Sequence, residues 1–315
     1  MISITLNLLI YIIIFVLLGI ISYDIYRTFN INKKYKMRKN PQIKKTPKVE
    51  CQKKEVSFDK DKLIINYYKK IIKLKHCNLD FFYNNIATLK LDKRPTLRKH
   101  NISANYYLIN KNIISLTDDD SISHELTHMS TSCYDKPDSF CGFSQDQLAN
   151  GLNEGYTELI SRRYFDSDRY SYIAEVKIAN NLERIVGKEK MEQLFFEANL
   201  YELIEMLSKY DSKDNVLKFI NSIDFISEVI DDSWMRDRFI KKIKRSLKFV
   251  NLCMLKWYVL KQKELYDKKK ITYNGLISKI KNFSENLTSI KDMDDNIYKV
   301  LDNDEIKEEV KKILK

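Results

Sequence analysis

Hydrophobic and polar positions change their rhythm along this chain. From Met1 to Tyr23 there is no charged side chain, and Leu6 to Ile21 is almost wholly Leu, Ile, Val, Phe and Tyr. An apolar run of roughly 20 residues is long enough to cross a bilayer as a helix. It lacks the leading Lys or Arg and the small-residue cleavage site of a secretory signal, so residues 1–23 are expected to be a retained membrane anchor. Between about Phe58 and Leu74 the apolar positions Leu63, Ile64, Tyr67, Ile71 and Ile72 recur at helical spacing, which predicts an amphipathic helix against a core.

Tyr106–Ile109 and Ile113–Leu116 read as two short strands about Asn110-Lys111-Asn112. Thr117 to Ser121 reads as a helix start, with Asp or Ser as cap, for a helix running to about Cys133. Residues 134–143 read as a loop and Ser144–Gln147 as the capping box of a short helix. Further helices are expected at Gly151 to Arg163, Tyr170 to Ile185, Leu194 to Leu207, Arg238 to Leu265 and Glu305 to Leu314. All four prolines lie before residue 138, so nothing later forbids long helices. The expected fold is mainly α with a small β hairpin or sheet (an α+β core), a helical C-terminal region and an N-terminal transmembrane helix. Its expected divisions are an anchor at 1–23, a basic linker at 24–57, a core at 58–186 and a helical region at 187–315.

The chemistry concentrates in two stretches. Ser121 to Ser130 contains His124, Glu125 and His128, the His-Glu-x-x-His pattern. Residues four apart share one helix face, so His124 and His128 can grip one metal ion, and Glu125 lies beside that face within reach of a water on the metal. The second stretch, Leu152 to Leu159, supplies Glu154 as a third ligand, with Glu158 one turn later. Gly155, unfavourable inside a helix by about 1 kcal/mol relative to Ala, suggests close approach to another backbone, with the metal helix as the candidate. His76 and His100 read as structural or exposed rather than catalytic.

Together these stretches resemble the gluzincins, the zinc metallopeptidases that include thermolysin and the zinc aminopeptidases. The resemblance covers roughly residues 120 to 165. It implies a zincin-like core with one Zn2+ per chain, held by His124, His128 and Glu154, with Glu125 as the general base. It places Glu158 where a carboxylate orients a ligand histidine, and implies that an edge strand of the small sheet aligns a peptide substrate. The gap from His128 to Glu154 is longer than is usual in the family, which leaves Glu158 open as the third ligand. No histidine follows His128, so a tyrosine is the expected oxyanion donor, with Tyr156, Tyr164 and Tyr170 as candidates. The Gly-x-Met-Glu-Asn segment of the zinc aminopeptidases is missing, which favours an endopeptidase. Glu158 or Asn153 is expected to fix a histidine tautomer.

Charge sharpens the picture. Between Asp24 and Lys54, eleven Lys and Arg face only Asp24 and Glu50, which accounts for nine of the net +12 charges. Basicity confined to a segment after an apolar run argues for anionic lipid rather than nucleic acid as its partner. Asn40-Pro41 and Thr46-Pro47 suggest an extended spacer within it. The positive flank places the C-terminal side in the cytoplasm. Five scattered cysteines, an odd number, suit free thiols in a reducing compartment, although Cys133 and Cys141 flank one loop and could pair outside the cell. The expected function is a membrane-anchored zinc metallopeptidase acting on peptides or proteins. The alternative is an inactive zinc-binding relative that serves as a membrane-tethered interaction module.

Overall fold

The structure is a computed structural model. It describes all residues except 1, 38–40, 42, 48–60, 75–76, 94–103, 108–112, 117–118, 136–137, 147, 231, 289–299 and 315. His76, His100 and Cys51 therefore lie outside the described residues. The chain forms two compact units, Met1–Pro41 and Gln42–Lys315. In the first, helix α1 spans Ile2–Met37. It runs through the apolar stretch and on into the first basic residues, so this part of the linker is helical. Its segment Ile12–Tyr35 is apolar and long enough to cross a membrane, and its most apolar stretch is exposed, with Ile31 as a buried position further along.

The second unit opens with α2, Lys62–Ile71, which buries Ile64, Tyr67 and Ile71 and starts at Asp61, whose carboxylate accepts the Leu63 N–H. Helix α3, Asp80–Ile86, buries Phe81, Phe82 and Ile86. A mixed sheet follows, with β1 (Lys90–Lys93), β2 (Ala104–Tyr107) and β3 (Ile113–Leu116) in the order β1-β3-β2. The expected hairpin is present as β2 and β3, antiparallel with Ala104 opposite Leu116, and β1 adds a parallel strand that the alternation did not reveal.

Helix α4, Ile122–Ser130, carries the metal motif and is buried on every side. It starts through a 3-10 turn at Asp119–Ser121, and Ser121 makes no side-chain cap. The two acidic residues of that turn favour the positive helix end without bonding to it. The helix ends before the expected Cys133, because Thr131 and Ser132 turn their hydroxyls back to donate to the carbonyl of His128. Residues expected to form a loop and a short helix instead make an antiparallel sheet of β4 (Ser132–Asp135), β5 (Asp138–Cys141) and β6 (Ser144–Gln145). This sheet fills the long interval between the two motif helices.

Helix α5, Asn150–Tyr164, is the second motif helix. Then come α6 (Ile173–Val186), α7 (Lys188–Phe196), α8 (Leu200–Leu207), α9 (Lys213–Ile230), α10 (Ser233–Asp267), α11 (Tyr273–Thr288) and α12 (Asn303–Leu314). The helix expected across Leu194 to Leu207 is broken at Ala198, which takes a positive φ of 51°. The helical region is built into the motif rather than appended to it. Asp224 of α9, buried, accepts the N–H groups of Ala149 and Gly151 at 2.9 and 3.0 Å and so caps α5. Part of the linker also docks on this unit: Lys44 reaches Asp138 at 2.7 Å, and Thr46 donates to the carbonyl of Ala198 at 2.6 Å.

Candidate metal centre

A buried helix must satisfy its own polar groups. On the back of α4, Thr127 donates to the Ser123 carbonyl at 2.7 Å and Ser130 to the Leu126 carbonyl at 2.6 Å, while the Tyr67 hydroxyl joins both at 3.2 and 3.0 Å. Asn85 donates to the carbonyls of Met129 and Ser132 at its C-terminal end. The helix is thus fixed in rotation, and the face it offers to α5 is the His124–His128 face.

Glu154 of α5 meets that face. The Nε2 atoms of His124 and His128 lie 3.1 Å apart, and the Glu154 Oε2 lies 3.1 Å from the first and 3.4 Å from the second. These three residues could hold one metal ion between them. The donors of a tetrahedral zinc bonded at about 2.0–2.1 Å are about 3.3 Å apart, so the separations fit. Protonation fits as well. His124 Nδ1 donates to Glu158 Oε2 at 2.9 Å, which leaves its Nε2 with a lone pair aimed at the other two donors. His128 Nδ1 has Thr157 Oγ1 at 3.4 Å and Cys141 Sγ at 3.5 Å as acceptors, with the Asn153 amide at 3.3 Å.

Glu158 is not among the three converging donors. It is fully buried behind His124, where its other oxygen accepts from Arg162 at 2.9 and 3.2 Å. Arg162 in turn donates to the carbonyls of Arg169 and Ser171, so the loop before α6 is tied to the same carboxylate. Gly155 does permit a close backbone approach, but the partner is α6 and not the metal helix. A Cβ at Gly155 would overlap the carbonyl carbon and oxygen of Glu175.

Electrostatics follow from this cluster. Burial pushes the Glu154 carboxyl up, but the imidazoles of His128 and His124 more than offset it and hold it well below the usual range. Burial pulls both histidines down, and the neighbouring carboxylates raise them overall, His128 strongly. Glu125 is buried beside the triad, and desolvation raises its carboxyl above the ordinary value. That direction suits a group that must take up a proton.

The tyrosines expected at the site are engaged elsewhere. Tyr156 is fully buried and donates to Glu183 at 2.7 Å, Tyr164 donates to Glu192 at 2.6 Å, and Tyr170 lies exposed against Arg162. The tyrosine beside the triad is Tyr172. Its ring stacks on His124 with centroids 5.6 Å apart, and its hydroxyl bonds the Glu154 side chain, whose charge, with burial, raises the phenol. It sits at φ 54°, a left-handed geometry that no sequence spacing announces. Arg169, whose guanidinium lies 5.5 Å from the Tyr172 ring centroid, keeps a buried Nη1 without a hydrogen-bond partner among the described residues. Cys133 and Cys141 are free thiols that are not opposite one another: Cys133 faces Phe140 and Cys141 faces Ser132. Comparison with known protein families, with curated proteins and with solved structures finds no match.

Proposed function

We propose that this chain is a zinc-dependent peptidase, most simply an endopeptidase, held at a membrane by its N-terminal helix with the second unit in the cytoplasm. The observation that carries this reading is the convergence of His124, His128 and Glu154 donors at 3.1–3.4 Å with Glu125 buried alongside. Zn2+ held there would supply a Lewis acid that acidifies water and polarises a carbonyl. Glu125 takes the proton from the attacking water and returns it to the leaving amine, for which its raised affinity for a proton is suited. Tyr172 leaves Glu154 to donate to the oxyanion that develops on the scissile carbonyl. Arg169 offers its unpartnered Nη1 to a substrate carbonyl, because a buried donor without an acceptor costs about 1–3 kcal/mol. Among the described residues β2 is an edge strand of the first sheet, which supports a peptide lying alongside it.

The test is hydrolysis of a mixed peptide library by the full chain loaded with zinc, beside Glu125→Gln. Cleavage by the wild type with new amino termini, lost in the variant at unchanged zinc content, supports the peptidase. Equal zinc with no cleavage by either protein favours the interaction module.

A further inference from the structure

We propose that the N-terminal half of α10 is a docking face for an anionic lipid surface, separate from the metal centre and from the basic linker. Between Ser233 and Lys248 there are seven Lys or Arg and one acidic residue, Asp237, a net of +6 in a chain whose residues outside the linker sum to only +3; Lys248, at the end of the stretch, pairs with Glu305 of α12. Helical spacing separates this charge from the core. Met235, Phe239, Ile243 and Leu247 are buried on one side. Trp234, Arg238, Lys241 and Arg245 recur at intervals of four, three and four on the opposite side and are exposed.

Trp234 selects the partner. It is 44% exposed at the head of the stripe, with the Arg238 guanidinium 5.5 Å from its ring centroid. Indole rings favour the headgroup level of a bilayer, and basic helix faces with Trp lie along anionic membranes. The same chain carries a helix long and apolar enough to span one. Charge complementarity alone would also suit a nucleic acid; the exposed indole beside cations, in a chain with such a helix, favours lipid.

The experiment uses the full chain reconstituted into vesicles of phosphatidylcholine, with and without phosphatidylserine, each doped with brominated lipid. Trp234 is the reporter, because Trp257 is fully buried. Quenching of the exposed tryptophan is expected to rise on adding phosphatidylserine and to fall again in high salt. Each cation near such a surface contributes about 1 kcal/mol, or about fivefold in the docked-to-undocked ratio. Arg238→Gln, Lys241→Gln and Arg245→Gln together should therefore lower that ratio about a hundredfold, with unchanged Trp257 emission as the sign of an intact fold. Quenching equal in neutral and anionic vesicles, or none in either, overturns the proposal. Shielding of Trp234 from aqueous iodide by a short RNA duplex, without quenching in anionic vesicles, overturns it in favour of nucleic acid.

Discussion

Asp224 gives the most direct handle on how the helical region serves the site. Its carboxylate accepts two N–H groups at the start of α5, at 2.9 and 3.0 Å, and is 3% exposed. The residue at the cap position, Ala149, has no side-chain acceptor of its own and sits at φ 63°. Asp224→Ala leaves both donors buried and removes a negative charge from the positive end of the helix. Hydrogen bonds to a charged acceptor contribute about 1.5–3 kcal/mol each and do not add fully. The expected loss is about 2–4 kcal/mol of unfolding free energy, with Asp224→Asn, which keeps one acceptor oxygen, at about half of that. Equilibrium urea unfolding of the full chain in a mild detergent measures it. Because Glu154 lies little more than one turn from the capped end, zinc affinity should fall alongside stability. A loss under about 0.5 kcal/mol, the level of an ordinary surface substitution, would refute the capping argument.

Other expectations follow from the same geometry. Gly155→Ala drives a Cβ into the Glu175 carbonyl, so α5 and α6 must part; a loss of about 3 kcal/mol is expected from the melting temperature at constant zinc. Tyr172→Phe should leave zinc content intact and lower kcat about 100-fold or more, as for loss of one oxyanion donor, whereas Tyr170→Phe should change little. The pH dependence is set by the histidines. Their folded values lie above the ordinary 6.5, so in metal-free protein their stabilising contribution is complete below that pH and is lost as pH rises through the folded values. Zinc competes with the same protons, so its affinity should climb over that interval. Melting of metal-free and zinc-loaded chain across pH 6–9 should show the two curves diverging as pH rises (about 6.5 being the ordinary imidazole value); parallel curves would contradict it.

What was legible in the sequence was local. The apolar run that became α1 and the ligand spacings inside α4 and α5 depend on residues a few positions apart, where helix periodicity is enough. The His-Glu-x-x-His stretch and Glu154 were readable, and the structure brings them together. What escaped depends on distant partners. The β4–β6 sheet is short, holds Asp, Ser and Gln, and is stabilised by pairing rather than by any strand-like alternation. It also explains why the interval from His128 to Glu154 is long without disturbing the triad. Gly155 signalled a close contact, yet its partner lies on α6, and Asp224 is 73 residues from the Gly151 amide it caps. Tyr172 was hidden because its place is set by a left-handed backbone and by Arg162 holding the loop to Glu158, not by its spacing from the motif.

The central claim is that His124, His128 and Glu154 form one metal site with Glu158 supporting it from behind. Metal content of the purified full chain tests it most directly, measured by elemental analysis for wild type, His128→Ala, Glu154→Ala and Glu158→Gln after dialysis against a weak chelator. The account predicts one zinc per wild-type chain, only traces in His128→Ala and Glu154→Ala, and zinc bound about 10–100-fold more weakly in Glu158→Gln. A folded wild-type chain without metal, or full zinc retained in Glu154→Ala, would contradict it.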